Sequence, residues 1–452
     1  MSKLNPFRYS ISQLAIPFFI ITASLNFRLR LPGQEIHIGG AELALSPYDF
    51  ALALLLALAI ASTKQYSLKL KHDPLIISFI AFITLSFLSI INSQKPEFTF
   101  YELLRCFKFF ILLILLRRIF QNPLQANYLI KFSALFIILE TLYSLYQLST
   151  GSAEATEDAT QVRELFIENG ITRVTGTLRH PALLSLCITL LIPFTVIGAV
   201  YYKNKKIYLF AIVLAFGCIT LTYSRTQIVL YFLTLAMCLF WFKTPTGKKI
   251  ILNKKIIYGA ALVFSAVMLY GISEFESIKD RFVNAPESST TTRLLLANIA
   301  IKMLGEHYIL GVGWNNFIYA MPFYDDFGVY RYFQHPVHNM VLLIASETGI
   351  IGLLAYFSIL LSTYGLYKKT IRLRPNQLDQ NIIRAAAISL IVLHITGLQG
   401  WSFRADSIQL ITIMCISLIA GIHDKTRRHH RESHLAVRSY LDGDTAASNS
   451  SR

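Results

Sequence analysis

The run His338-Asn339-Met340-Val341-Leu342-Leu343-Ile344-Ala345-Ser346-Glu347-Thr348-Gly349-Ile350-Ile351-Gly352 decides what kind of chain this is. A polar His-Asn pair opens an apolar stretch, and a lone carboxylate follows nine residues after the His. In hydrocarbon neither group has a packing reason to be present. Ionisable groups at such depth are costly and are functional candidates by default. Similar apolar runs recur on both sides of this one. Hydrophobic residues make up 54% of the chain and charged residues only 15%, too few charges to cover a soluble protein of this size. The chain therefore reads as an all-α polytopic integral membrane protein.

About twelve spans of bilayer length are expected, near 11–28, 47–63, 74–93, 100–117, 128–149, 181–201, 207–224, 226–242, 256–273, 338–366, 381–402 and 407–423. Residues Pro74, Pro123 and Pro181 mark turns between them. Lys3 and Arg8 precede an apolar run without a small-residue cleavage site, so the first span is expected to stay in place. The organisation is then 1–273 with nine spans and a short outer loop at 150–180, a long outer loop at 274–337, three more spans over 338–423, and a disordered tail from 424 to 452.

Lys and Arg set the orientation. One set of loops holds Lys64, Lys69, Lys71, Arg117, Arg118, Lys203, Lys205, Lys206, Lys248, Lys249, Lys368, Lys369, Lys425 and Arg427. The opposite loops carry Glu35, Glu42, Glu97, Glu154, Glu157, Asp158, Asp325 and Asp326. By the positive-inside rule both termini are cytoplasmic and the acidic loops face outward. The net charge of +16 is then mostly topology. Its cations are spread through short loops instead of gathered on one domain, which argues against a nucleic-acid partner. The five cysteines fall within expected spans and read as small buried hydrophobes, with neither a metal-site spacing nor a disulfide framework.

Chemistry is expected where ionisable groups meet the outer boundary. Arg225 follows Thr222-Tyr223-Ser224 at the tip of a helical hairpin. It suits either snorkelling to lipid phosphate or clamping a lipid-linked phosphate or diphosphate with its guanidinium fork. Arg293 opens a helix expected at 291–305, where a cation opposes the dipole and an anion would meet both the Arg and the helix N-terminal amides. Arg173, Arg179 and His180 surround Gly176 and Pro181 at the mouth of the sixth span. His338 stands at the junction of the long outer loop and the tenth span. There a neutral imidazole can accept a proton from a sugar hydroxyl, or simply bond to a neighbouring helix. His335 lies three residues before it, but no Cys or carboxylate completes a metal site. In a regular helix Glu347 falls on the face opposite His338, so it reads as structural. Lys108 is expected to pair with Glu140, and Arg105, nearer the outer surface, to extend a phosphate site. Aromatic residues from Phe317 through Tyr319, Phe323, Tyr324, Tyr330 and Tyr332 to Phe333 suit sugar stacking and the membrane interface equally.

The order of these pieces resembles the bacterial O-antigen ligase family and its O-antigen polymerase relatives. The matching segments are Arg173-Val174-Thr175-Gly176-Thr177 with His180-Pro181; Ser224-Arg225; Arg293 leading to Leu310-Gly311-Val312-Gly313-Trp314 and Phe317; and His338-Asn339 with Glu347-Thr348-Gly349-Ile350-Ile351-Gly352. The resemblance runs from about residue 130 to 365. It implies an inverting membrane glycosyltransferase at the periplasmic face of the bacterial inner membrane, using an undecaprenyl-diphosphate-linked glycan and neither metal nor other cofactor. His338 would be the general base, and Arg225 and Arg293 the diphosphate clamp. Arg105, Arg173, Arg179, His180, Asn339 and Trp314 are possible further substrate contacts. The acceptor is expected to be the lipid A-core oligosaccharide, as in ligases. A second lipid-linked repeat unit, as in O-antigen or exopolysaccharide polymerases, a protein hydroxyl, and membrane transport are the alternatives. The geometric expectation is that Arg225, Arg293 and His338 converge on one outward-opening cavity.

Overall fold

The computed structural model describes residues 29–30, 44–61, 72–150, 167–168, 171–250 and 287–449. The spans expected at 11–28 and 256–273 lie outside the described residues, as does the acidic start of the 150–180 loop. Elsewhere each expected span coincides with a helix. These are α1 (Pro47–Ala61), α2 (Pro74–Phe87), α3 (Pro96–Ile119), α4 (Pro123–Thr150), α5 (Pro181–Tyr201), α6 (Lys205–Leu221) and α7 (Arg225–Trp241). They continue with α8 (Glu287–Glu306), the single turn α9 (Phe317–Ala320), α10 (Met340–Arg372), α11 (Gln377–Gly397) and α12 (Asp406–Asn449). Two antiparallel pairs, Leu29–Arg30 with Ala44–Leu45 and Ile167–Glu168 with Ile171–Thr172, are two residues long per strand and hold no core.

Among the described residues six segments are long and apolar enough to cross a membrane: Pro74–Asn92, Pro123–Thr150, Pro181–Tyr201, Met340–Arg372, Gln377–Gly397 and Asp406–Ser433. Helix α3 falls outside that set because Glu102, Arg105 and Lys108 interrupt it, and α7 because it is short. The prolines behave as read: Pro74, Pro123 and Pro181 sit at helix starts, where a missing N–H costs nothing. Of the six apolar segments, α5 and the start of α12 are the most enclosed: α5 packs against α4, α6, α7 and α11, and α12 lies between α3, α10 and α11.

The end of the bundle that carries His338 depends on a break in α10. Gly349 interrupts that helix at φ 68° and ψ −175°, and the loop after α8 plugs the gap. Val312 N–H donates to the Ser346 carbonyl at 2.9 Å, Gly313 N–H to the Glu347 carbonyl at 3.1 Å, and Ile350 N–H to the Tyr308 carbonyl at 2.9 Å. A broken helix is tolerated at membrane depth when other protein takes up the released backbone groups. The approach is so close that a side chain on Gly349 would lie 2.0 Å from the Ile309 oxygen, and one on Gly311 2.3 Å from Glu347.

Glu347 itself is fully buried. Its carboxylate pairs with Arg404, accepts from Asn315 N–H at 3.0 Å and from Phe317 N–H at 3.1 Å, and so starts α9. Its structural reading therefore holds, but for a different reason. The helix is not regular from His338, and the partner comes from the α11–α12 loop. Arg105 is 4% exposed and bonded to Glu102 at 2.6 Å, to the Arg404 carbonyl at 3.0 Å and to Asp406 at 3.5 Å. It belongs to this buried network, not to an outward phosphate site. Lys108 pairs with Asp49 at 2.8 Å, not with Glu140. Trp314, a possible substrate contact by sequence, is also buried, edge-on to Phe82. The residues expected as a disordered tail continue α12 to Asn449. The sequence there has no proline, so the helix is not stopped at Asp424.

An internal cavity of about 110 Å³ lies beneath the network, lined by Phe79, Phe82, Glu102, Trp314, Glu347 and Arg404 among others. None of Arg225, Arg293 and His338 lines it. Breaking the pair above it leaves a buried charge uncompensated, at a cost of roughly 3–5 kcal/mol. Glu347→Gln is therefore expected to lower the melting temperature in detergent sharply. Adding Arg404→Gln should recover part of the loss, which intrinsic-fluorescence melting of both variants reads directly.

Candidate functional site

The polar positions named by the sequence lie at or just before the starts of α5, α7 and α10 and on α8. His338 precedes α10, and Asn339 caps it. The Asn339 side chain accepts from Leu342 N–H at 3.0 Å and donates to the Leu398 carbonyl at 3.2 Å. Asn339 thus fixes the entry of the chain into α10 and the orientation of His338 beside it. His338 is half-buried, with Nδ1 enclosed and unpartnered. Burial, then the neighbouring Arg293 guanidinium and His335, pull its pKa down to about 4. The imidazole is therefore neutral at physiological pH, able to accept a proton.

Arg293 is exposed and acts on His338 from α8. That helix begins at Glu287, earlier than its sequence suggests, so Arg293 sits in the second turn instead of the first. The dipole argument made for it lapses, since that effect is confined to the terminal turn. Its closeness to His338 takes the place of that argument.

The second cationic turn is built from α4. Glu140 accepts from the Thr177 N–H at 3.0 Å and from its hydroxyl. Gln147, two turns further along α4, accepts from Gly176 N–H at 2.9 Å and Thr175 N–H at 3.2 Å. Gly176 has φ +57°, and a side chain on it would meet the Glu140 carboxylate at 2.3 Å. The buried carboxylate is thus a clamp for the Thr175-Gly176-Thr177 turn. Arg173 leaves that turn and donates through Nε to the Thr222 carbonyl at 2.9 Å, at the end of α6. Arg179 follows, exposed and in the left-handed region at φ 58°. His180 then caps α5, its Nδ1 accepting from Ala182 N–H at 3.2 Å, which leaves the neutral ring's proton on Nε2.

His180 is solvent-accessible yet surrounded by protein, as a side chain lining a crevice is. That crowding, followed by Arg173 and His335, lowers its pKa to about 4. His335 lies near both His180 and His338, close enough to act electrostatically on the protonation of each. The sequence had weighed it only as a metal ligand. Among the described residues no group of three or more His, Cys, Asp or Glu side chains is placed to hold a metal ion.

Arg225 opens α7, exposed, after a tight turn in which Tyr223 takes φ 53°. Its neighbour Thr226 donates to Gln399 Oε1 at 2.8 Å, and Gln399 follows the Leu398 carbonyl that Asn339 holds. The α11–α12 loop therefore ties the start of α7 to the start of α10. Arg105 and Trp314 are the two expected contacts that the fold takes elsewhere. Arg404 was missed. Its signal was a cation, four residues past Gly400, in a loop that the charge pattern placed on the cation-poor side.

The family model for O-antigen ligase matches residues 210–357, a segment that contains Arg225, Arg293, His338 and Glu347. That segment is about a third of the chain, and its likeness supports membership of the O-antigen ligase family. No curated protein matches the chain.

The depressed basicity of His338 is open to direct measurement. In a chemical-shift titration of the ring-labelled protein, His338 is expected to take its proton near pH 4 instead of near 6.5. Removing the adjacent cation with Arg293→Gln should move that midpoint upward. An unmoved midpoint in the variant would separate Arg293 from His338.

Proposed function

With the likeness to the O-antigen ligase family at residues 210–357 as premise, we propose that the protein transfers a glycan from undecaprenyl diphosphate to the lipid A-core oligosaccharide. The work is done at the periplasmic face of the bacterial inner membrane, with both termini in the cytoplasm. The observation that carries this reading is His338: an imidazole kept neutral at the outer end of an apolar helix, beside a cation.

Arg293 and Arg225 hold the diphosphate and stabilise the charge that grows on it. The dianion lies close to His338 and offsets the Arg293 charge, so the imidazole becomes a stronger base once the donor is bound. His338 takes the proton of the acceptor hydroxyl. The hydroxyl oxygen attacks the anomeric carbon from the face opposite the diphosphate, and the carbon–oxygen bond to the diphosphate breaks with its electron pair on the leaving group. The new linkage has inverted configuration. His180 and Arg173 border the same mouth and contribute N–H donors to phosphate or sugar oxygens. Arg179, exposed on the same turn, adds positive charge.

His338→Ala is expected to lower transfer by about 10²–10⁴-fold, the usual worth of a general base. Arg225→Ala and Arg293→Ala should each cost about 10²–10³-fold, with Lys restoring charge but not the two-pronged grip. Glycan profiling of a null strain complemented with wild type or His338→Ala identifies the reaction. Bare lipid A-core with long glycans accumulating on the polyprenyl carrier marks a ligase. Lipid A-core carrying single repeat units marks a polymerase and overturns the acceptor assigned here.

A further inference from the structure

Four rings stand in a row along the mouth of the site. Trp401 lies 6.4 Å from His335 at 24°, His335 lies 4.5 Å from Phe333 at 52°, and Phe333 lies 5.9 Å from His338 at 32°. All four are half-buried. Trp401 and Phe333 pack against the apolar cluster that contains Leu296, Met303 and Val337. Near-parallel rings with centroids 6.4 Å apart are offset, so part of each face is left uncovered.

The transfer as derived above uses one member of this row, His338. Nor is Trp401 what holds its own loop in place. The loop is fastened by Asn339 at Leu398, by Thr226 at Gln399, and by Arg404 to Glu347. An indole is thereby fixed at the rim of the site by groups other than itself.

We propose that Trp401, His335 and Phe333 form the acceptor-sugar subsite, on which a pyranose ring lies with one hydroxyl against His338. This rests on the reading of His338 as the general base. A sugar ring has an apolar C–H face and a hydroxyl edge. Aromatic faces take the first, and a neutral imidazole, one nitrogen donor and one acceptor, suits the second. Burial holds His335 neutral at physiological pH. The row belongs to the acceptor and not to the donor, because it ends at the group that must touch the acceptor hydroxyl. The cations for the diphosphate lie on α7 and α8. Phe333, His335 and His338 lie within the segment matched to the O-antigen ligase family, and Trp401 lies outside it.

The test is the rate of transfer against acceptor concentration at saturating donor, with the full chain in nanodiscs. The donor is polyprenyl-diphosphate-linked glycan and the acceptor lipid A-core, or a second lipid-linked glycan if the wild type uses only that. Trp401→Leu is expected to raise the acceptor KM about tenfold, a stacking contribution of roughly the size expected for a buried ring pair. The kcat and the donor KM should stay within about twofold, and Trp401→Phe should restore most of the loss. Phe333→Leu should shift the same constant and reads the row independently if Trp401→Leu fails to fold. An unchanged acceptor KM in the leucine variants, with His338→Ala inactive, overturns the subsite and leaves the base intact. A fall in kcat with both KM values moved together, accompanied by a lower melting temperature, also overturns it. Full transfer by His338→Ala removes the reading beneath it.

Discussion

A carboxylate buried inside an apolar bundle is costly unless it is paired, and the pairing of Glu347 with Arg404 fixes the broken end of α10 and the segments packed on it. The two residues come from segments far apart in sequence. Between them they hold the end of a broken helix, the turn that starts α9, and the loop joining α11 to α12. The turn is further sewn to the α2–α3 connection: Trp314 N–H donates to Ser89 Oγ at 2.7 Å, and Lys95 N–H to Asn316 Oδ1 at 2.7 Å. A segment that would otherwise be a long polar excursion becomes a rigid plug.

That rigidity reaches the surface through the α11–α12 loop. Within seven residues it binds Asn339 at one end, Thr226 next, and Glu347 at the other end, with Trp401 between. The outward cations and imidazoles thus rest on a frame whose fixed point is buried charge. Site residues held in this way keep their geometry when substrate arrives, which is what charge stabilisation at a reacting centre requires. The cation-rich turn at Arg173–His180 follows the same rule with a different carboxylate, Glu140.

Apolar length and proline punctuation made the helices legible, since both act locally. His338, Arg225 and Arg293 stand out as candidates in the sequence because an ionisable group at the edge of an apolar run contrasts with its neighbours. Partnerships were not. Lys108 and Glu140 were matched as opposite charges on adjacent helices, but Asp49 and the Thr177 turn win them through packing between elements that no periodicity specifies. Arg105 looked outward by its position along α3, yet the rotation of that helix about its axis turns it to Glu102 and Asp406. The break at Gly349 escaped notice because glycine inside an apolar run also serves close helix packing. Only the paired approach of Gly311 distinguishes the two.

Helices α3 and α12 are joined twice: by Arg105 and Asp406 on the outer side, and by Arg117 and Asp424 at 2.8 Å on the other. Positions 406 and 424 of α12 are about 27 Å apart along the helix, close to the thickness of a bilayer's hydrocarbon core. Two charged clasps at that separation act as a fixed gauge. Neither helix can tilt past the other to shorten or lengthen the apolar belt without opening one of them. A membrane thinner or thicker than the gauge must itself deform around the protein, and that cost favours residence in bilayers of matching thickness.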